Sequence, residues 1–161
     1  MENTAIFNQL VNGYHKSSAT DKYMFGFIDR HNVWLAYATA EVLPYVTTLD
    51  KASRGAGYTL RFKPNKAQKE FLKTMEVEVL CSEKFFNDYH SRMGKYNKGE
   101  VFEKMVTEKF GQKWAKDSTP YYMDGDLTVN GEKWQIKFES ATFTNESTLS
   151  KVPAEYRNQQ A

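Results

Sequence analysis

Apolar side chains recur at helical spacing along residues 99–110. At about 100° per residue, Val101, Phe102, Met105, Val106 and Lys109 share one face with Phe110 at its margin, and Gly111 predicts a left-handed cap that closes the helix. Glu103 falls beside Phe110 at the edge of that face, where a carboxylate can reach a cleft. Glu100 points almost directly away, toward water. A second helical stretch is predicted over residues 65–93. Asn65 is a good N-cap, Gln68 completes a capping-box pattern, and Ala67, Phe71, Met75 and Val79 follow at helical intervals. Phe85, Phe86 and Tyr89 continue the helical pattern, which ends near Met93-Gly94.

Residues 24–46 are rich in aromatic and aliphatic side chains, and residues 29–43 are expected to form a helix stopped by Pro44. A glycine-containing loop near residues 53–57 leads to residues 58–62, which alternate as a short strand. The most informative alternation surrounds Asn130-Gly131, the residue pair best suited to a two-residue turn with positive φ at both positions. Counting outward sets Val129 opposite Glu132, Thr128 opposite Lys133, Leu127 opposite Trp134, Asp126 opposite Gln135 and Asp124 opposite Lys137. Directly opposed residues share a sheet face. Leu127, Val129, Trp134, Ile136 and Phe138 therefore form an apolar side, and Asp124, Asp126, Gln135, Lys137 and Glu139 a polar one. Asp is disfavoured in strands, yet two begin this one, facing a Gln and a Lys. Such crowding of oxygen donors around one ammonium suits a hard cation.

Composition narrows the classes that remain. The 161 residues, 40% hydrophobic and 15% aromatic, suit one globular domain with its own core. No stretch approaches the roughly 18 apolar residues needed to span a bilayer. The first ten residues lack the basic-then-apolar order of a secretory signal, and Cys81 has no partner for an internal disulfide, so a cytoplasmic location is expected. Cys81 reads as a small hydrophobe and His90 as a structural or surface residue. The formal net charge of +2 is unevenly spread. Residues 1–50 carry three basic and five acidic side chains, residues 51–116 fifteen and eight, and residues 117–161 four and seven. A basic middle followed by an acidic segment suits attraction of a polyanion beside a held cation, although lysines also solvate ordinary helix faces. Phosphate contacts are expected from Lys63, Lys66, Lys69 and Lys73, or from Arg92, Lys95 and Lys98. Tyr96, Trp114 and Tyr121 are candidates for base stacking, with core packing the commoner role for such residues. The chain has no GxxxxGK[ST] loop, GxGxxG fingerprint, GxSxG elbow or HExxH pair.

Glu103 in Gly99-Glu100-Val101-Phe102-Glu103, then Asp126 in Asp124-Gly125-Asp126-Leu127, then Gln135-Ile136-Lys137 resemble, in that order, the PD-(D/E)xK nuclease superfamily with its restriction-endonuclease-like fold. The match, over residues 95–143, is nearest the branch in which QxK replaces ExK. The resemblance implies an α/β fold, a central mixed β-sheet containing the 124–139 hairpin and flanked by helices. The nuclease-like core is expected at about residues 58–143, with an N-terminal helical and aromatic extension at 1–57 and a polar tail at 144–161 whose few apolar anchors suit either partial disorder or ordering on binding. The resemblance also implies a divalent-metal-dependent endonuclease hydrolysing phosphodiester bonds in DNA, with RNA as a second possible substrate. Asp126, the Gln135 side-chain oxygen, the Ile136 carbonyl and Glu103 would hold Mg²⁺ or Mn²⁺, and Lys137 would position the attacking water or stabilise developing charge. A homodimer is expected by analogy, with the N-terminal third as its interface. Asp124 could take over part of the role of Asp126, and Glu139 is expected in a supporting or surface position. Gln135 leaves the site one carboxylate short of the ExK form. The competing expectation is an inactive nucleic-acid- or protein-binding module on the same fold, such as a nuclease inhibitor.

Overall fold

Two antiparallel strands, β1 (Lys22–Asp29) and β2 (Asn32–Thr39), occupy the middle of a mixed sheet in the computed structural model. The model describes residues 7, 8, 11, 21–51, 58–114 and 127–142. Residues 29–43 therefore do not form the expected helix. They supply β2, a 3-10 turn at Ala40–Val42 and the start of a single helical turn, α1 (Leu43–Val46), which Pro44 helps to open rather than stopping a longer helix. The cause lies in burial on both faces of β2. Trp34, Ala36 and Ala38 enter one core while Val33, Leu35 and Tyr37 enter the other, so the strand lacks polar alternation. The hairpin turn between β1 and β2 is also unmarked by glycine: Arg30 and His31 take the positive φ values, 49° and 68°.

The capping box at Asn65 and Gln68 is present and starts α2 (Lys66–Leu72). The helix stops at Leu72, and β5 (Glu76–Ser82) follows, pairing antiparallel with β2. Met75 and Val79 thus match helical spacing by coincidence, the alternation Glu76-Val77-Glu78-Val79 being that of a strand. Beyond it run α3 (Glu83–Met93) and α4 (Lys98–Lys109), each followed by a glycine with positive φ, Gly94 at 73° and Gly111 at 71°. The 130–131 hairpin takes its expected form. β6 (Leu127–Val129) pairs with β7 (Glu132–Phe138) through Leu127–Trp134, Thr128–Lys133 and Val129–Glu132, with φ of 51° at Asn130 and 79° at Gly131.

The five-stranded sheet has the order β5–β2–β1–β7–β6, with β7 parallel to β1. A smaller antiparallel sheet joins β3 (Thr47–Lys51), β4 (Tyr58–Phe62) and β8 (Ala141–Thr142). The chain is thus mixed α/β, with a central mixed sheet flanked by helices. Residues 22–51, expected to belong to an N-terminal extension, contribute β1 and β2 of the larger sheet and one strand of the smaller sheet.

Two cores separate the layers. On one face Tyr23, Phe25 and Phe27 of β1 meet Leu43, Val46, Leu60, Phe62 and Leu72 from α1, the smaller sheet and α2. On the other, Met24, Leu35, Leu127, Ile136 and Phe138 meet Phe86 of α3 and Val101, Phe102 and Val106 of α4. Each such fully buried side chain contributes roughly 1.5–3 kcal/mol. The apolar side of the hairpin therefore faces the helices, as its alternation requires. Gly26 lies where α4 presses closest: a Cβ there would sit 2.2 Å from the Phe102 ring.

Candidate functional site

A cleft of about 660 Å³ opens between the first turns of α4 and the C-terminal half of β7. Asn97, Lys98, Gly99, Glu100 and Glu103 line one wall; Ile136, Lys137, Phe138 and Glu139 line the other, with Ile28 of β1 beside them. The helix wall is fixed by a second capping box. Asn97 accepts from the Glu100 backbone N–H at 2.8 Å, and the Glu100 carboxylate accepts from the Asn97 N–H at 3.0 Å. Glu100 is half-buried and occupied by this cap, so it borders the cleft rather than pointing to open water. The β7 wall is fixed by the parallel pairing of Gln135 with Tyr23, Ile136 with Met24 and Lys137 with Phe25.

Glu103, Ile136 and Lys137 are thus brought to one cleft. Gln135 lies next along β7, half-buried, on the strand face that it shares with Tyr23 and Lys137. Since Ile136 and Phe138 turn toward α4, Glu103 approaches from the opposite side of the sheet to Gln135 and Lys137. Asp126 and Asp124 lie outside the described residues, as do Tyr121 and the tail 144–161. The observed register begins at the Leu127–Trp134 pair, so the expected Asp126–Gln135 and Asp124–Lys137 pairs also lie outside the described residues.

Two more carboxylates of the cleft, Glu103 and Glu139, are tied by contacts from other parts of the chain. The Trp114 indole N–H donates to Glu103 Oε2 at 3.2 Å, and Trp114 meets Tyr96 edge-on with ring centroids 5.0 Å apart. Glu139 accepts from the Ile28 backbone N–H and lies 3.8 Å from the Lys69 ammonium. Neither contact was legible beforehand, because each joins residues from separate elements. The Asn97-x-x-Glu100 box carries a spacing signal that the expected helix start at residue 99 overlooked.

The basic residues divide into two groups. Lys69 donates to the Ile28 carbonyl at 2.8 Å, and Lys73 pairs with Asp29 while lying 4.9 Å from the Trp34 ring centre. Their side chains are 21% and 15% exposed, so these two lysines are engaged in joining α2 to β1. Lys63, Lys66, Arg92, Lys95 and Lys98 are exposed, and Lys98 borders the cleft. The Lys73 hydrogen bond and charge hold the Asp29 carboxyl below its ordinary range against the opposing effect of burial. Burial pushes the Cys81 thiol up, in keeping with a small apolar side chain. His90 Nε2 donates to the Tyr96 carbonyl at 3.0 Å, a structural contact.

Among the described residues no three His, Cys, Asp or Glu side chains converge as a metal cluster. The described donors of the expected set are the Glu103 carboxylate, the Gln135 amide oxygen and the Ile136 carbonyl, all hard oxygens that suit Mg²⁺ or Mn²⁺. Among the described residues no helix is long and apolar enough to cross a membrane. No protein-family model matches the chain, and no curated protein or solved structure is significantly similar to it.

Proposed function

We propose that the chain is a divalent-metal-dependent endonuclease that hydrolyses phosphodiester bonds in DNA, on a restriction-endonuclease-like core. The observation that carries this reading is the shared cleft of Glu103 from α4 with Ile136 and Lys137 from β7, beside a hairpin in the predicted register. Asp126, Gln135 and the Ile136 carbonyl would hold the ion, and Glu103, coming from the other face of the sheet, would contribute through a coordinated water. Bound there, Mg²⁺ or Mn²⁺ would polarise a phosphoryl oxygen and acidify a water. Lys137 orients the nucleophile or stabilises the charge that develops on phosphate. Lys98 at the cleft, with Arg92, Lys95, Lys63 and Lys66, gives the DNA backbone cationic contacts. The enzyme acts as a cytoplasmic homodimer in this reading.

Neutral Gln135, where the family carries an acid, favours the second reading, a binding module that keeps the fold without catalysis. Plasmid DNA incubated with Mg²⁺ or Mn²⁺ decides between them. Wild type nicks or linearises it, and Lys137→Ala is slower by about 100-fold or more, the scale of a lost charge-stabilising group. Equal cleavage by both proteins removes Lys137 from the site. Salt-sensitive DNA binding with no metal effect on cleavage or thermal stability establishes the module instead.

A further inference from the structure

We infer that Trp114 is a positioning residue, holding the Glu103 carboxylate in the cleft through its indole N–H, and that Tyr96 clamps the indole. The inference rests on the metal-dependent reading above and adds to it the part that orients its helix-borne carboxylate.

Glu103 sits on the second turn of α4, on a side chain with three rotatable bonds. The backbone beneath it is held, the Glu103 carbonyl accepting from Thr107 Oγ1 at 2.7 Å. The indole N–H is a donor without acceptor capacity, so it selects an oxygen of the carboxylate. The 3.2 Å contact commits Oε2 to Trp114. The indole is held in turn. Tyr96 meets it at 73°, an arrangement favoured by the ring quadrupoles, and the Tyr96 carbonyl accepts a hydrogen bond from His90 Nε2 at 3.0 Å. A line of contacts thus runs from α3 through Tyr96 and Trp114 to Glu103, and the helix wall of the cleft is braced from outside. Trp114 and Tyr96 are themselves half-buried, which limits competition from water for the N–H. Residues that orient metal ligands in this way commonly change metal affinity about 10- to 100-fold when replaced.

The test uses the full chain and Mn²⁺ alone, with thermal unfolding as the readout. Mn²⁺ raises the wild-type midpoint temperature, and the Mn²⁺ concentration giving half the rise is the quantity compared. Trp114→Phe keeps an aromatic ring against Tyr96 but deletes the N–H. It is expected to shift that concentration upward about tenfold while the metal-free unfolding temperature stays near that of wild type. Tyr96→Leu, which leaves the indole but removes its neighbour, gives a smaller shift in the same direction. Trp134→Phe, a like change at another half-buried indole, leaves the concentration unchanged. An unaltered Mn²⁺ requirement in Trp114→Phe overturns the inference alone, and so does an equal shift in Trp134→Phe. A wild type whose unfolding ignores Mn²⁺ overturns the metal reading and this inference with it.

Discussion

Helices α2 and α4 begin on the same device. Asn65 caps α2 with Gln68 reciprocating, and Asn97 caps α4 with Glu100 reciprocating. Yet α2 runs for 7 residues and buries Leu72, whereas α4 runs for 12 and buries Val101, Phe102, Val106 and Thr107. The start of a helix is a local matter, settled by one side chain meeting an unpaired N–H. Its length is settled by what its face meets. The α4 stripe lies along β1 and β7, while the chain after α2 turns away to pair with β2. Lys69 of α2 and Lys73 at its C-terminal cap are bound to β1, whereas Lys98 in the first turn of α4 stands at the cleft.

Cutting the buried face of each helix gives the largest effects. Phe102→Ala should cost about 3–5 kcal/mol in urea unfolding and Leu72→Ala about 2–5 kcal/mol. Only the former should also abolish the proposed metal-dependent cleavage, because it loosens the helix that carries Glu103. Loss of cleavage in Leu72→Ala would break the distinction. The ion pair that binds α2 to β1 comes next. Wild type should exceed Asp29→Asn by about 1.5–3 kcal/mol near neutral pH, the range for a hydrogen bond to a charged group. Because the folded-state pKa of Asp29 lies below its ordinary 3.8, this advantage is complete above that value. It disappears as the pH falls through the lower, folded-state value. Unfolding followed between pH 7 and pH 2 checks both the sign and the window. The caps give the smallest effect, about 1 kcal/mol each for Asn65→Ala and Asn97→Ala. Matched losses of stability, with weaker metal-dependent cleavage in Asn97→Ala alone, would assign the cleft to α4. Weaker cleavage in both would remove that assignment.

The features read correctly from the chain are those decided within a few residues. Asn130-Gly131 adopts positive φ because its own chemistry permits it, and Asn65 with Gln68 caps because the partners are three apart. What escaped was decided at a distance. The β1–β2 turn is made by Arg30 and His31, which carry no turn signal, and β2 is buried on both faces and so resembles a helix core. Val79 matched helical spacing while belonging to an edge strand. At the cleft, Glu103 was legible from its place at the margin of the α4 stripe. Its tie to Trp114 was not, since Trp114 follows the end of the helix and no periodicity links the two.

The bare backbone of Gly26 makes the seat of α4 adjustable in one direction only. With the Phe102 ring already against the strand, the helix has no room to settle lower, and any side chain at position 26 acts as a shim that lifts it. Gly26 and Phe102 therefore share a single volume, divided between two distant points of the chain. A larger residue at 26 calls for a smaller one at 102. Paired exchanges there would lift α4 over β7 in small steps, widening the gap between Glu103 and Lys137 while leaving both residues in place.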